Sequence, residues 1–591
     1  MLHALAAVLL TAIPDAGPPQ NRSGDFNAML DAYWEEYLPL HPIQATAIGD
    51  SRYNDRFYND LTPQARAQMH AFHTRWLARL LAFPREALAG QDRLSFDTLS
   101  WVLQVTLEGE RFPDHLLPCS QYSCGALDFA QLGSGESLQP FKTVKDYEDF
   151  LKRGDGFVGW MDQAVVNMRE GIQKGVVQPK QVMQKLVPEL DQLCVTEPEQ
   201  SVFWGAIKVM PADIKAPERA RMTAAYRRAI GQRWLPALRR LRDFVRDEYV
   251  PSCRATSGYG QLPDGRAWYA WAIKASTTTQ MEPEVIHQLG QAEVARIRQD
   301  MDAVRRQVGF KGDLHAFFKH LEDDPAFYFT KPEDLLAGHV ALQAKVEALL
   351  PKAFDLFPKT PLVVKAVEPF RAQSASGAEY QVGSADGSRP GTFYVNTFNL
   401  KAQPKFGMET LFLHEASPGH HFQFSLAREL ESLPKFRRFS VYSAYAEGWA
   451  LYTESLGKEL GLYTDPYAWF GHLADGQLRA MRLVVDTGLH AKGWSREQSI
   501  AFMRDNSSMA DSDIVAEVER YMVWPGQALS YKLGQFAIRE LRTQAEKELG
   551  PRFNLKAFHR QVLIDGPLPL DVLKTKIRAW IASEKARPDA G

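Results

Sequence analysis

The stretch METLFLHEASPGHHFQFSLAREL (residues 408–430) sets a Glu directly after a His, with two further His six and seven positions on. A catalytic zinc site needs neutral imidazoles as ligands and a carboxylate beside the water that the ion activates, so His414, Glu415 and a later His are the candidates. The chain carries 15 His and 71 acidic residues. In such a composition a His, an acid and a His six positions after the first arise by chance roughly 0.05 times, so the pattern points to chemistry. Its spacing is unusual. In His-Glu-x-x-His the two His lie four apart, about 400° around a helix, and share a face. Here the fourth position is Pro418. On a straight helix His420 would point about 120° away from His414, and His421 would share its face but stand about 10.5 Å further along. Pro418-Gly419 offers a remedy, because Pro removes a helix hydrogen bond and Gly tolerates unusual dihedrals, so a kink or bulge carries a later His back towards His414.

A third ligand is expected from a neighbouring helix. SAYAEGWALYTESLGKEL (443–460) places Glu447 beside Gly448, which allows close approach of another backbone, and an apolar helix face follows. A carboxylate there completes a His, His, Glu set with one position open for water. Glu454 lies seven residues later on the same face.

Outward from this segment the pattern is mainly helical. From Asp25 to about Leu350, stretches such as 146–172 and 218–250 place apolar residues at three- and four-residue intervals, with charges between them and Pro251 closing the second. Between about Pro361 and Thr397, PLVVKAVEPF, AEYQVGSA and GTFYVNT are short β-rich runs separated by Gly, Ser, Asp and Pro. They predict a small, antiparallel sheet next to the active site. Helical pattern resumes near Gly407. The expected fold is therefore mainly α and two-lobed, with residues 21–350 as an N-terminal helical region and 351–591 as the catalytic region.

Charge and hydropathy narrow the partners. The 591 residues are 45% hydrophobic with a formal charge of −2, enough apolar matter for a large core and no electrostatic footprint for nucleic acid or an anionic membrane. No stretch after the N-terminus approaches the roughly 20 apolar residues that cross a bilayer, so no integral membrane segment is expected in the mature chain. MLHALAAVLLTAIPDA, at the start, has the length of a signal-peptide apolar region but lacks a basic beginning. It predicts a leader over residues 1–20 and a periplasmic or secreted location. Cys119, Cys124, Cys194 and Cys253 are even in number and free to pair in an oxidising compartment.

HEASPGHHFQ (414–423) matches the His-Glu-x-x-Pro-Gly-His pattern of the DUF885 family of bacterial proteins, which is similar in outline to the gluzincin zinc metallopeptidases. AEGWALYTE (446–454) resembles that family's second motif and the stretch that supplies the glutamate ligand in gluzincin aminopeptidases. SRPGTFYVNT (388–397), RLVVDTGLH (482–490) and WPGQALSYKLG (524–534) look like further family blocks. The resemblance favours His420 over His421 as second ligand. It implies a zincin-like fold holding Zn2+ on His414, His420 and Glu447. It also suggests Tyr531, after a Gly-containing turn, as the phenol that stabilises an oxyanion. Arg389, Tyr394 and Asn396 are the substrate-binding candidates. GTFYVNT is read either as an edge strand that pairs with an extended peptide or as an ordinary inner strand. Asp486 and His490, four apart, are read as facing the cavity or as structural.

The expectation is a zinc-dependent hydrolase, a peptidase acting on short peptides with Glu415 as general base. An esterase or amidase acting on a small molecule through the same site is the nearest alternative. A non-catalytic binding protein on a metallopeptidase scaffold is the alternative from another class.

Overall fold

Thr143 closes a capping box with Asp146 at the start of helix Val144–Lys174, and Gly175 ends it with φ 69°, in the left-handed region. Both devices are written in the sequence, and the apolar stripe between them faces inward. The second long amphipathic stretch forms helices Ala216–Ala229, Leu235–Phe244 and Val250–Ser252, joined by two π-helical turns. Together with their neighbours they bury Phe129, Phe150, Met161 and Trp234 in one core. The computed structural model describes residues 22–588 apart from 369–371, 373–376, 385, 386 and 388. The predicted leader lies outside them. Among the described residues no helix is long and apolar enough to cross a membrane. Cys119 and Cys124 form a disulfide across a short antiparallel hairpin, while Cys194 and Cys253 are free.

The elements that carry the site are numbered here from the middle of the chain. Helices α1 (Pro283–Gln307) and α2 (Pro332–Leu349) precede strands β1 (Leu362–Ala366), β2 (Ala378–Gln381) and β3 (Gly391–Val395). Then come α3 (Met408–Glu415), α4 (His420–Glu429), α5 (Ser443–Ser455), α6 (Pro466–Ala491), α7 (Asp511–Val523) and α8 (Ser530–Leu549). The fold is mainly α with a small sheet, as its sequence pattern predicts. In the sheet β3 is central, antiparallel to β2 and parallel to β1. Strand β3, which begins the GTFYVNT stretch, is thus an inner strand. Its backbone is spent on two neighbours and cannot add a peptide strand.

Packing runs across residue 350. Leu335, Leu342 and Val346 of α2 share a core with Phe393, Phe412, Tyr445 and Trp449, and α1 packs along α6 through Val294, Ile297 and Met301. Helices α5 and α8 meet backbone to backbone. A Cβ built on Gly534 would stand 2.0 Å from the carbonyl oxygen of Ala444, and one built on Gly448 would stand 2.4 Å from the Cα of Gly534. Two glycines facing each other let the backbones touch, which fixes α5, and with it Glu447, against α8.

Gly534→Ala is expected to force these helices apart and cost about 1–3 kcal/mol. Gly407→Ala, where an added Cβ meets nothing closer than 3.8 Å, is the control. Calorimetric unfolding checks both: an unchanged Tm for Gly534→Ala would show that the contact has slack.

Candidate metal centre

Helix α3 ends at Glu415 and α4 begins at His420, so Pro418-Gly419 breaks the helix outright where the sequence suggested a kink or bulge. The Ser417–Pro418 peptide bond is cis. At Gly419 a Cβ would lie 1.9 Å from the carbonyl oxygen of His414 and 2.4 Å from that of Leu413. Only glycine lets the second helix start directly against the end of the first. The Trp449 indole N–H donates to the Pro418 carbonyl at 2.8 Å, and the Thr453 hydroxyl donates to the Leu413 carbonyl at 3.0 Å. Helix α5 thereby holds both sides of the break.

This turn brings the His414 and His420 rings edge to face, with centroids 4.8 Å apart. Glu447 Oε2 lies 3.5 Å from His414 Nε2 and 3.4 Å from His420 Nε2. The three ligand atoms lie within 4.8 Å of one another. His421 points elsewhere. Its Nδ1 meets the Tyr380 hydroxyl of β2 at 3.0 Å, and burial pushes its pKa down to about 4. The structure thus gathers His414, His420 and Glu447 and leaves His421 against the sheet.

The donor set fits a zinc ion. Two ligands each about 2.1 Å from a tetrahedral ion stand about 3.4 Å apart, the separation that Glu447 Oε2 keeps from both imidazoles. That oxygen is buried and forms no hydrogen bond among the described residues. Behind the trio, His414 Nδ1 lies 2.7 Å from Glu454 Oε1. The Nδ1–H donates to that carboxylate, which orients the ring so that Nε2 faces Glu447 and is the atom available to an ion. Burial disfavours a charged His414, yet the carboxylates of Glu447 and Glu454 outweigh it and raise its pKa to about 10 in the metal-free protein. For Glu447 too burial opposes ionisation, and the two imidazoles overcome it and hold the carboxyl well below its ordinary range. A cation held there would displace the His414 proton. His472, 3.7 Å from the second Glu454 oxygen, is kept neutral by burial, with its pKa lowered to about 4.

Glu415 sits at the C-terminal end of α3, partly exposed, and forms no side-chain hydrogen bond or ion pair among the described residues. Tyr531 lies on α8, one turn before the Gly534 contact with α5. The Arg482 guanidinium stacks 4.3 Å from its ring centroid, and Arg520 Nη2 is 3.4 Å from its hydroxyl. The substrate-binding candidates are dispersed. Arg389, ahead of β3, donates from its backbone N–H to Ser384 Oγ and from its side chain to the Val382 carbonyl. Tyr394 lies in β3 opposite Glu379 and Lys365. Asn396 donates to the Ala372 carbonyl at 2.7 Å and accepts from the Phe398 N–H at 3.0 Å, so its amide ties the chain that leaves β3 to the connection between β1 and β2.

Asp486 and His490 brace α6. Asp486 accepts from the Tyr269 hydroxyl and the Gly526 N–H, and burial raises its pKa to about 7. His490 accepts from the Tyr259 N–H and donates to the Tyr521 carbonyl. Sequence reasoning gave no role to Glu454, although its seven-residue distance from Glu447 on one helix face was the available signal. His472 and the arginines of α6 were also passed over; their signal was a polar stripe of period three to four on an otherwise apolar helix.

The DUF885 family, described as bacterial protein of unknown function, matches residues 42–577. The chain belongs to this family. It is similar to the crystal structure of a "putative lipoprotein" from Colwellia psychrerythraea, with a TM-score of 0.87 and 28% identity over 95% of this chain and 99% of that one. It shares its fold with a second "putative lipoprotein of unknown function", from Shewanella oneidensis, with a TM-score of 0.71 and 19% identity over 93% and 99% of the two chains. No curated protein matches it.

Metal analysis of purified variants tests the trio. His414→Ala, His420→Ala and Glu447→Ala are each expected to abolish zinc binding, while His421→Ala retains it. Glu454→Gln is expected to weaken zinc affinity by about 10- to 100-fold, as loss of a partner behind a ligand does. Full zinc in His420→Ala with none in His421→Ala would reverse the assignment.

Proposed function

We propose that this DUF885 member is a zinc-dependent hydrolase, most simply a peptidase acting on short peptides. The observation that carries the proposal is the pairing of a ligand trio, Glu447 with the two imidazoles at 3.4 and 3.5 Å, with an uncommitted carboxylate on the residue after His414. His414, His420 and Glu447 would hold the ion, and Glu454 would orient His414 from behind. Bound there, zinc supplies Lewis acidity towards a water and a substrate carbonyl.

The chain's own groups account for the proton. Glu415 follows a ligand by one residue, about 100° around the helix, so its carboxylate stands beside the trio and outside it. It takes the proton of the attacking water and passes it to the leaving amine, and no covalent acyl intermediate on the protein is required. Tyr531 is the donor proposed for the developing oxyanion. Arg482 and Arg520 fix its ring and hydroxyl, so it is held without rotamer freedom. An ester or a small amide would be cut by the same groups.

The resemblance to two structures described as lipoproteins, the apolar N-terminal stretch and the Cys119–Cys124 disulfide together support an exported protein, periplasmic or secreted.

Glu415→Gln separates chemistry from metal binding. The variant is expected to keep its zinc and its Tm, and to lose about 10²- to 10⁴-fold in kcat on short peptides with a smaller change in KM. An amide accepts a hydrogen bond from water but cannot take its proton. Near-normal kcat in this variant would remove Glu415 as the base, and loss of zinc would make it a ligand.

A further inference from the structure

Helix α6 carries a polar stripe on a partly buried face: His472, Asp475, Arg479 and Arg482 follow one another at three- and four-residue steps. The stripe starts beside Glu454, behind the metal trio, and reaches Tyr531 at Arg482. Arg520 of α7 joins it there. These guanidiniums are costly to bury, and each is only partly compensated. Arg479 pairs with Asp475 at 2.7 Å, Arg482 with Glu517 at 2.8 Å, and Arg520 with Glu517 at 3.3 Å. By direct ion pairs three cations share two carboxylates, and the charge of Glu454 also reaches Arg479. Arg479 Nε, Arg482 Nη1 and Arg520 Nε are buried and have no acceptor among the described residues. The Arg482 side chain is 6% exposed, so bulk water does not serve it.

Buried N–H groups of charged side chains rarely go unpaired, and a surplus of guanidinium matches a carboxylate in charge and shape. Arg479 and Arg482 stand seven and ten residues beyond His472, about 10 and 15 Å by helix rise. We propose that Arg479, Arg482 and Arg520 form a carboxylate subsite, and that this chain selects short peptides carrying a carboxylate close to the scissile bond. Tyr531, wedged between Arg482 and Arg520, couples the subsite to the reacting centre. The subsite rests on the hydrolase reading for its purpose, but its existence can be measured without turnover.

The carboxylate has two sources, a free C-terminus or an acidic side chain. The zinc-loaded full chain is titrated calorimetrically with three probes: acetyl-Ala-Ala-Ala, its C-terminal amide, and acetyl-Ala-Ala-Glu amide. Tighter binding of the free acid than of its amide, by at least 10-fold, is expected if the subsite reads the C-terminus. Preference for the Glu-containing amide over the Ala-containing one assigns the subsite to an acidic side chain. In either case Arg482→Gln and Arg520→Gln are each expected to reduce that preference. The Tm identifies a variant that fails to fold, and the less buried Arg520 is the safer of the two. Equal affinity for all three probes overturns the proposal. So does a preference that survives in both folded variants, since the carboxylate would then be bound by the metal. Failure of the hydrolase reading looks different: tight, arginine-dependent binding without cleavage keeps the subsite and removes the enzyme.

Discussion

His420 meets His414 because Gly419 has no side chain. With two carbonyl oxygens 1.9 and 2.4 Å from where a Cβ would stand, any other residue would push α4 away from the end of α3. The second imidazole would then leave the first. Everything else at the site accepts this arrangement and reinforces it. Trp449 and Thr453 hold the break from α5, and the same helix sends Glu447 between the two imidazoles and Glu454 behind one of them. Five contacts from one helix converge on a break of four residues, so the site is set by backbone placement before any side chain chooses a rotamer.

The second requirement is electrostatic. Glu454 is 1% exposed, and burial alone would keep its carboxyl protonated. The hydrogen bond from His414 and the charge of Arg479 outweigh burial and lower its pKa. Further along α6 and α8 the same trade recurs, with Lys532 set against Glu293 at 3.1 Å and Arg482 against Glu517. Ion pairs of this kind seldom stabilise a fold relative to apolar packing.

Much of this was legible in the sequence. Helical periodicity, the capping box at Thr143 and the Gly175 terminator define the long helix 144–174 without reference to tertiary structure. Pro418-Gly419 announced a departure from a straight helix, ligand chemistry pointed to His414, a later His and Glu447, and the family resemblance favoured His420 as that His. What was hidden depended on contacts between distant elements. The centre of the sheet went to β3 because β1 and β2 both pair with it, and no local pattern encodes which of three β-rich runs lies inside. The tying of Asn396 to the connection between β1 and β2, and the placing of His421 against Tyr380, are likewise decided by neighbours 24 and 41 residues away. Glu454 was visible as a residue on the right face, but only the 2.7 Å contact gives it a task.

The disulfide hairpin Cys119–Cys124 has a reach beyond its own loop. Between its cysteines, Gln121 donates to Glu519 of α7 at 3.0 Å and Tyr122 donates to the Ala516 carbonyl at 2.6 Å, while Lys185 also pairs with Glu519. Helix α7 carries Glu517 and Arg520, the residues that grip Arg482 and Tyr531. A fragment beginning at residue 351 would keep the proposed ligands and base, yet it would strip a fully buried carboxylate of these partners and loosen the helix behind Tyr531. The N-terminal half thus braces the helix that holds Arg482 and Tyr531.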